Sequence, residues 1–173
     1  MMPSQRKDRR KTDRRLTEQR NAASKNLDRM TAGEIVRLMN REDRKVAIAV
    51  GRERAAIARA VDAIVSAIRK GGRLIYVGAG SSGRMGVLDA AECPPTFGTS
   101  PKVVLALIAG GRRAITSAVE GAEDSERNGA RDLRGKKLTR RDVVVGIAAS
   151  GTTPYVVGAL KYARRRGATT DWR

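Results

Sequence analysis

Two glutamates and two hydroxyl-rich turns carry most of the chemical capacity of this 173-residue chain. It contains no histidine, so proton transfer near neutral pH falls to Glu, Asp, Lys, Tyr or Cys. Paired carboxylates are the simplest acid–base site left. Glu92 stands directly before Cys93-Pro94-Pro95, and Glu123 lies in the run Val119-Glu120-Gly121-Ala122-Glu123-Asp124. On residue type alone, Glu92 divides between a helix-end ion pair and a site residue, and Glu123 reads as a solvated turn acid. The two turns are Gly78-Ala79-Gly80-Ser81-Ser82-Gly83 and Ser150-Gly151-Thr152-Thr153-Pro154. Glycines let a ligand approach the backbone closely. Free N–H groups and positive dipole at a following helix start suit a phosphate.

The spacing Gly78-x-Gly80-x-x-Gly83 also matches a dinucleotide loop. That reading is set aside, because no acidic residue closes a second strand about 20 residues on. An anion cradle remains, favoured over a bare structural turn by the Ser81-Ser82 pair.

Positioning these groups requires strands followed by helices. The apolar runs at 74–77, 103–108 and 143–148 read as buried parallel strands. Each precedes a loop and a helical pattern, which predicts a parallel α/β sheet with right-handed crossovers. Ligands in such sheets sit beyond the carboxyl ends of the strands, where both hydroxyl turns fall. Thr31-Ala32-Gly33-Glu34 reads as a capping box opening a helix with Ile35, Leu38 and Met39 on one face. A second helix is expected over 42–70, with a weak point at Gly51 and with Ile57, Val61, Ile64 and Ile68 toward the sheet. The helix after the first turn is expected to carry Met85, Val87, Leu88 and Ala91 inward, Cys93 as a buried small residue, and to break at the prolines. That break would leave Glu92 near a helix end, facing the same cleft as the glycine loop. Helices are also expected over 113–119, 125–133 and 155–166.

Composition narrows the class. Hydrophobic residues make up 40% of the chain, enough for a globular core, yet aromatics are only 3%. No apolar run reaches the roughly 18 residues of a membrane span, and no secretory signal is visible at the charged start. A single cysteine, Cys93, cannot form an internal disulfide, which suits a reducing cytoplasm. No Cys/His cluster resembles a metal site. The net charge of +18 invites a nucleic-acid reading. The near-absence of stacking aromatics argues against a specific one, and non-specific association at low salt is expected. Residues 1–20 form a basic arm containing Arg6, Lys7, Arg9, Arg10, Lys11, Arg14 and Arg15, expected to be disordered.

The segments Gly78 to Gly98 (GAGSSGRMGVLDAAECPPTFG), Val119 to Asp124 (VEGAED) and Val143 to Val156 (VVVGIAASGTTPYV) resemble the N-acetylmuramic acid 6-phosphate etherase family. That family has the sugar isomerase (SIS) phosphosugar-binding fold. The resemblance runs from about Leu16 to Ala168 and includes Thr17-Glu18-Gln19-Arg20-Asn21. It implies a three-layer αβα parallel sheet preceded by N-terminal helices: residues 21–70 helical, and 71–173 a partial SIS domain with the sheet incomplete at its C-terminal end. It implies a cytoplasmic, homodimeric carbon–oxygen lyase that needs no cofactor or metal. Its substrate would be a phosphorylated amino sugar, with no specific nucleic acid and no membrane partner. A non-catalytic phosphosugar-binding module or inactive fragment is the other reading.

By the resemblance, Glu92 and Glu123 are the catalytic carboxylates. Gly80, Ser81, Ser82, Gly83, Ser150, Gly151, Thr152 and Thr153 are the substrate contacts. Ser81 stands where the family usually has Thr, and Thr152 where it commonly has Arg. The family continues beyond the end of this chain, so strand 143–148 is expected to risk an exposed edge, leaving the protein marginally stable or dependent on a second copy.

Overall fold

The computed structural model describes Thr17 and residues 19–171, with the backbone alone for Asp171. The basic residues from Arg6 to Arg15, Glu18 and the last two positions lie outside the described residues. The chain divides into two units between Arg52 and Glu53.

In the first unit, two short 3-10 turns, Ala22–Ser24 and Leu27–Arg29, lead to α1 (Ala32–Arg52). The expected capping box is present. The Thr31 backbone N–H and hydroxyl both donate to Glu34 Oε2, at 2.8 and 2.7 Å. The Glu34 N–H returns a longer bond to Thr31 Oγ1 at 3.4 Å. The bonds from the Thr31 N–H and hydroxyl hold the Glu34 carboxyl below its ordinary range. The expected boundary near Glu42 is absent, and α1 runs through it. No glycine or proline interrupts Asn40 to Asp43, and Glu42 pairs with Lys45 along the helix at 2.7 Å. The chain leaves helical geometry at Glu53, where φ is −93° and ψ is 4°. Gly51 itself remains helical.

The second unit holds α2 (Arg54–Arg69), β1 (Leu74–Gly78), α3 (Gly80–Phe97), β2 (Val104–Ile108), α4 (Arg113–Thr116), α5 (Glu126–Arg134), β3 (Val143–Ile147), α6 (Pro154–Arg165) and β4 (Thr169–Asp171). All strand pairs are parallel, in the order β2-β1-β3-β4. Alternation along the strands splits the sheet's two faces. Ile75, Val77 and Val144 pack with Leu133, Tyr155, Val156, Ala159 and Leu160 of α5 and α6 into the main core. The opposite face meets α3, where Gly86 sits against Tyr76: an added Cβ would stand 2.8 Å from the Tyr76 Cβ. The architecture is the three-layer αβα sheet with helices preceding it. β3 has β1 on one side and β4 on the other, paired from Val143↔Thr169 to Val145↔Asp171, so the expected bare edge is covered over that stretch.

Several expectations for helix faces are overturned. On α3 the buried positions are Gly83 and Gly86, while Met85 and Leu88 point outward at 65% and 62% exposure and Ala91 is exposed. Glycines let α3 approach the sheet so closely that its small-residue face, and not its bulky one, turns inward. On α2, Ile57 and Val61 are exposed, and Ile64 and Ile68 are half-buried. Cys93 is half-buried rather than enclosed; burial, then the nearby Asp89 charge, pushes its thiol up, away from nucleophilic form. The prolines do not end α3 at Glu92. The helix continues through Pro94 and Pro95 to Phe97 and stops at Gly98, φ 65°, whose N–H donates to the Pro94 carbonyl. A proline forfeits one backbone bond, and the following turn survives because Gly98 supplies the left-handed stop. α4 ends at Thr116, earlier than expected, because Ser117 is extended.

Candidate functional site

Three connections meet at the carboxyl edge of the sheet. β1 is flanked by β2 and β3 in register, with Gly78 opposite both Ile108 and Ile147. The chain therefore leaves β1 toward β2 on one side and returns as β3 on the other. That is the topological switch point at which open α/β sheets bind ligands. The β1–α3 turn and the β3–α6 turn leave these neighbouring strands, whose backbones run about 4.8 Å apart.

The first turn enters α3 with Ala79 extended and Gly80 at φ 51°, and no side chain caps the helix start. Ser81 is exposed, Ser82 half-buried and Gly83 buried. A Cβ on Gly83 would lie 2.6 Å from Ile108 Cγ1, so close packing of α3 on β2 requires glycine here. The second turn folds on itself. Ser150 Oγ and Thr152 Oγ1 share a 2.9 Å hydrogen bond, and the Thr152 N–H donates to Ser150 Oγ at 3.3 Å. Gly151 takes φ 67°. α6 then opens on Pro154 after Thr153, again with no side-chain cap, which leaves its first N–H groups available.

A cavity of about 240 Å³ opens beside the first turn and is lined by Gly80, Ser81, Arg84, Glu120 and Glu123 among others. The structure thus brings Glu123 to the glycine loop. It does the same for neither Glu92 nor the Ser150–Thr153 turn, which do not line this cavity. Glu92 stands twelve residues along α3 from Gly80, about 18 Å at 1.5 Å per residue, and is exposed. The expectation that it faces the glycine loop of its own chain rested on a helix break that the prolines do not make.

Sequence reasoning passed over Arg84. Its guanidinium Nε donates to the carbonyls of Ala114 and Ile115, each at 3.0 Å, and the fork reaches Ser117 O at 3.5 Å. It ties the start of α3 to the end of α4, from which the chain runs on to Glu123. The only signal in the sequence is a basic residue in the first turn of a helix, where the dipole disfavours it. Tyr76 and Asp89 form another polar contact on this face of the sheet, where burial and then Asp89 push the phenol up. Among the described residues no cluster of His, Cys, Asp and Glu could hold a metal, and no helix is long and apolar enough to cross a membrane.

The family model described as "Glucokinase regulatory protein N-terminal SIS domain" matches residues 56–164. The N-acetylmuramic acid 6-phosphate etherase of Geobacillus thermodenitrificans is 59% identical over 89% of this chain and 52% of its own length. The enzyme of that name from Actinobacillus pleuropneumoniae serotype 5b is 55% identical over 90% of this chain and 51% of its own length. N-acetylmuramic acid 6-phosphate etherase 2 of Enterococcus faecalis is 59% identical over 89% and 52%. The chain spans about half the length of the curated relatives it matches. Together with the parallel sheet and its turns at the switch point, these matches show that the chain belongs to the SIS-domain family, as a relative of the N-acetylmuramic acid 6-phosphate etherases.

Proposed function

We propose that this chain carries the catalytic elements of an N-acetylmuramic acid 6-phosphate etherase, acting in the cytoplasm in cell-wall amino-sugar recycling. The single observation that carries the reading is the cavity shared by Gly80, Ser81 and Glu123 at the switch point. A carboxylate lining the same cavity as a helix start suited to a phosphate supports this reading. The sugar phosphate would be held by the backbone and hydroxyls of Gly80, Ser81, Ser82 and Gly83, with Ser150, Gly151, Thr152 and Thr153 closing from the neighbouring strand.

In the open-chain sugar the C2 proton is α to the aldehyde and the ether oxygen is β to it. A glutamate removes that proton, and the electron pair forms the C2–C3 double bond. The C3–O bond breaks, and the departing lactyl oxygen takes a proton from the second glutamate. Water then adds, hydroxide to C3 and a proton to C2, giving N-acetylglucosamine 6-phosphate and D-lactate. Two carboxylates in distinct surroundings can divide these roles.

Glu92 enters this scheme through a second copy. Met85, Leu88 and Glu92 recur at helical spacing on the outward face of α3, with Met85 and Leu88 exposed. Two such helices packed antiparallel about a two-fold between Met85 and Leu88 set Glu92 of one copy opposite Ser81 of the other. The glutamates missing each other within one chain would then meet between chains. A homodimer is the occupant this apolar face best accommodates.

The test is D-lactate release from N-acetylmuramic acid 6-phosphate by the purified chain, beside Glu92→Gln and Glu123→Gln. Lactate from the parent alone supports the assignment; lactate from all three removes it. A second reading, phosphosugar binding without turnover, is favoured by Glu92 lying outside the cavity that Glu123 lines. It is recognised by saturable binding of N-acetylglucosamine 6-phosphate with no lactate formed.

A further inference from the structure

The charge of this protein is distributed unevenly between the two ends of its strands. The connections at the carboxyl edge, residues 79–84, 109–125 and 148–153, carry three basic and three acidic residues. The connections at the amino edge, residues 69–73, 98–103, 134–142 and 164–168, carry twelve Lys and Arg against one acid, Asp142. That acid is already engaged, since Arg73 holds it at 2.8 Å. The excess cannot be ascribed to steering a phosphosugar, because it faces away from the cavity.

Contacts join three of these connections into one surface, and the fourth adjoins them where the Leu74 N–H donates to the Val103 carbonyl at 2.9 Å. Arg73 donates to the carbonyls of Lys136 and Lys137 at 3.1 and 3.3 Å. Gly72 lies against the backbone of Arg141, and the Arg140 stem lies over Gly167. Arg140, Arg164, Arg165 and Arg166 converge with Thr139 on a cavity of about 340 Å³. Helix dipoles account for the basic residues in last turns, Arg69, Arg134, Arg164 and Arg165. They do not account for Lys102, Lys136, Lys137, Arg140 and Arg141, which lie beyond helix ends. Lys137 even occupies a left-handed backbone position, φ 50°, which glycine or asparagine takes at lower cost.

We propose that this amino-edge face docks the phosphodiester backbone of duplex nucleic acid, without reading sequence. The four segments contain no Phe, Tyr or Trp, so single-strand stacking has no platform. Among the described residues, none of the exposed large apolar side chains falls in them, so a bilayer finds no anchor. A row of cations spread over neighbouring loops matches a regular array of phosphates, with counterion release as the driving force. The face lies at the far end of the strands from the cavity, so the proposal stands or falls apart from the etherase reading.

The experiment titrates a labelled duplex DNA of about 24 base pairs with the whole chain, across roughly 50 to 200 mM NaCl, by fluorescence anisotropy. The triple variant Arg140→Gln, Arg165→Gln, Arg166→Gln is compared with Arg37→Gln, Arg44→Gln, Arg52→Gln, which removes equal charge from α1. The expected result is a face triple bound about 10- to 100-fold more weakly at the low-salt end, its log–log salt slope flatter by about 2 to 3. The α1 triple should stay within about threefold of the parent, and Arg165→Gln alone should flatten the slope by about 1. Circular dichroism establishes that each variant is folded. Equal losses in the two triples, or no salt-dependent binding by the parent, overturn the proposal. So does equally tight, equally Arg-dependent uptake onto phosphatidylserine vesicles.

Discussion

Arg84 follows Ser81 by three residues on α3, so both stand on one face of a single helical turn. Both line the cavity, and Arg84 also grips the carbonyls of Ala114 and Ile115. The β1–α3 turn and α4 are thereby tied to the same helix, and the chain runs on from α4 to Glu123. The guanidinium fork, not the charge alone, makes these contacts. Arg84→Lys is therefore expected to behave like Arg84→Ala: N-acetylglucosamine 6-phosphate binding weaker by about tenfold, stability lower by about 1–2 kcal/mol. Faster amide exchange over 113–123 in both variants would locate the change. Full recovery of binding by lysine would reduce Arg84 to a charge.

Asp142 sets an acid limit on stability. It is 1% exposed, and burial alone would raise its pKa. Hydrogen bonds from Arg73 and from the Thr139 N–H and hydroxyl reverse that and hold it below its ordinary 3.8. A carboxyl whose folded pKa is depressed stabilises the fold above its unfolded pKa and loses that contribution as pH falls through the folded one. Urea midpoints are thus expected to fall below about pH 4, and to fall less steeply in Asp142→Asn. At neutral pH that variant should be less stable by about 3 kcal/mol, since it strands the Arg73 charge. Parallel pH curves for the two proteins would dissociate Asp142 from acid unfolding.

Much of this architecture was legible from local signals. The capping box at Thr31 and Glu34, the three long strands and both hydroxyl turns all follow from spacing within a few residues. The faces of α3 did not, because hydrophobic periodicity assigns Met85 and Leu88 to a core that Gly83 and Gly86 in fact occupy. A period-3.6 pattern cannot distinguish the face that meets the sheet from one that meets another surface. Pro94 and Pro95 misled for a related reason: helix termination by proline is a local tendency, and Gly98 provided a better stop one turn later. Glu123 was singled out through its motif, whereas the Arg84 tie to α4, just before it in the chain, joins residues thirty or more apart in sequence.

Close approach of α5 and α6 gives a further test. A Cβ on Gly158 would lie 2.0 Å from the Glu126 carbonyl oxygen, and one on Gly129 would lie 1.9 Å from that of Tyr155. Backbone meets backbone there, with no flexible side chain to yield. Gly158→Ala should lower stability by about 3 kcal/mol or more. Gly51→Ala on α1, with nothing within 4 Å of the added methyl, should raise it by about 0.5–1 kcal/mol. Chemical denaturation of both variants checks the contrast; a mild effect at Gly158 would mean the two helices can separate freely.

The separation of Glu92 from Glu123 makes a prediction about mixtures. If each site takes Glu92 from one copy and Glu123 from the other, Glu92→Gln and Glu123→Gln chains are each inactive alone. In a mixed dimer the lesions fall together in one site and leave the other intact. Random re-association of equal amounts makes half the dimers mixed, each with one good site, so about a quarter of parental activity should return. If both glutamates serve the same chain's site, every site in every dimer keeps one lesion and nothing returns. The lactate assay on co-refolded variants separates these outcomes. The parent's sedimentation, with and without Leu88→Glu on the outward face of α3, shows whether that face joins the copies.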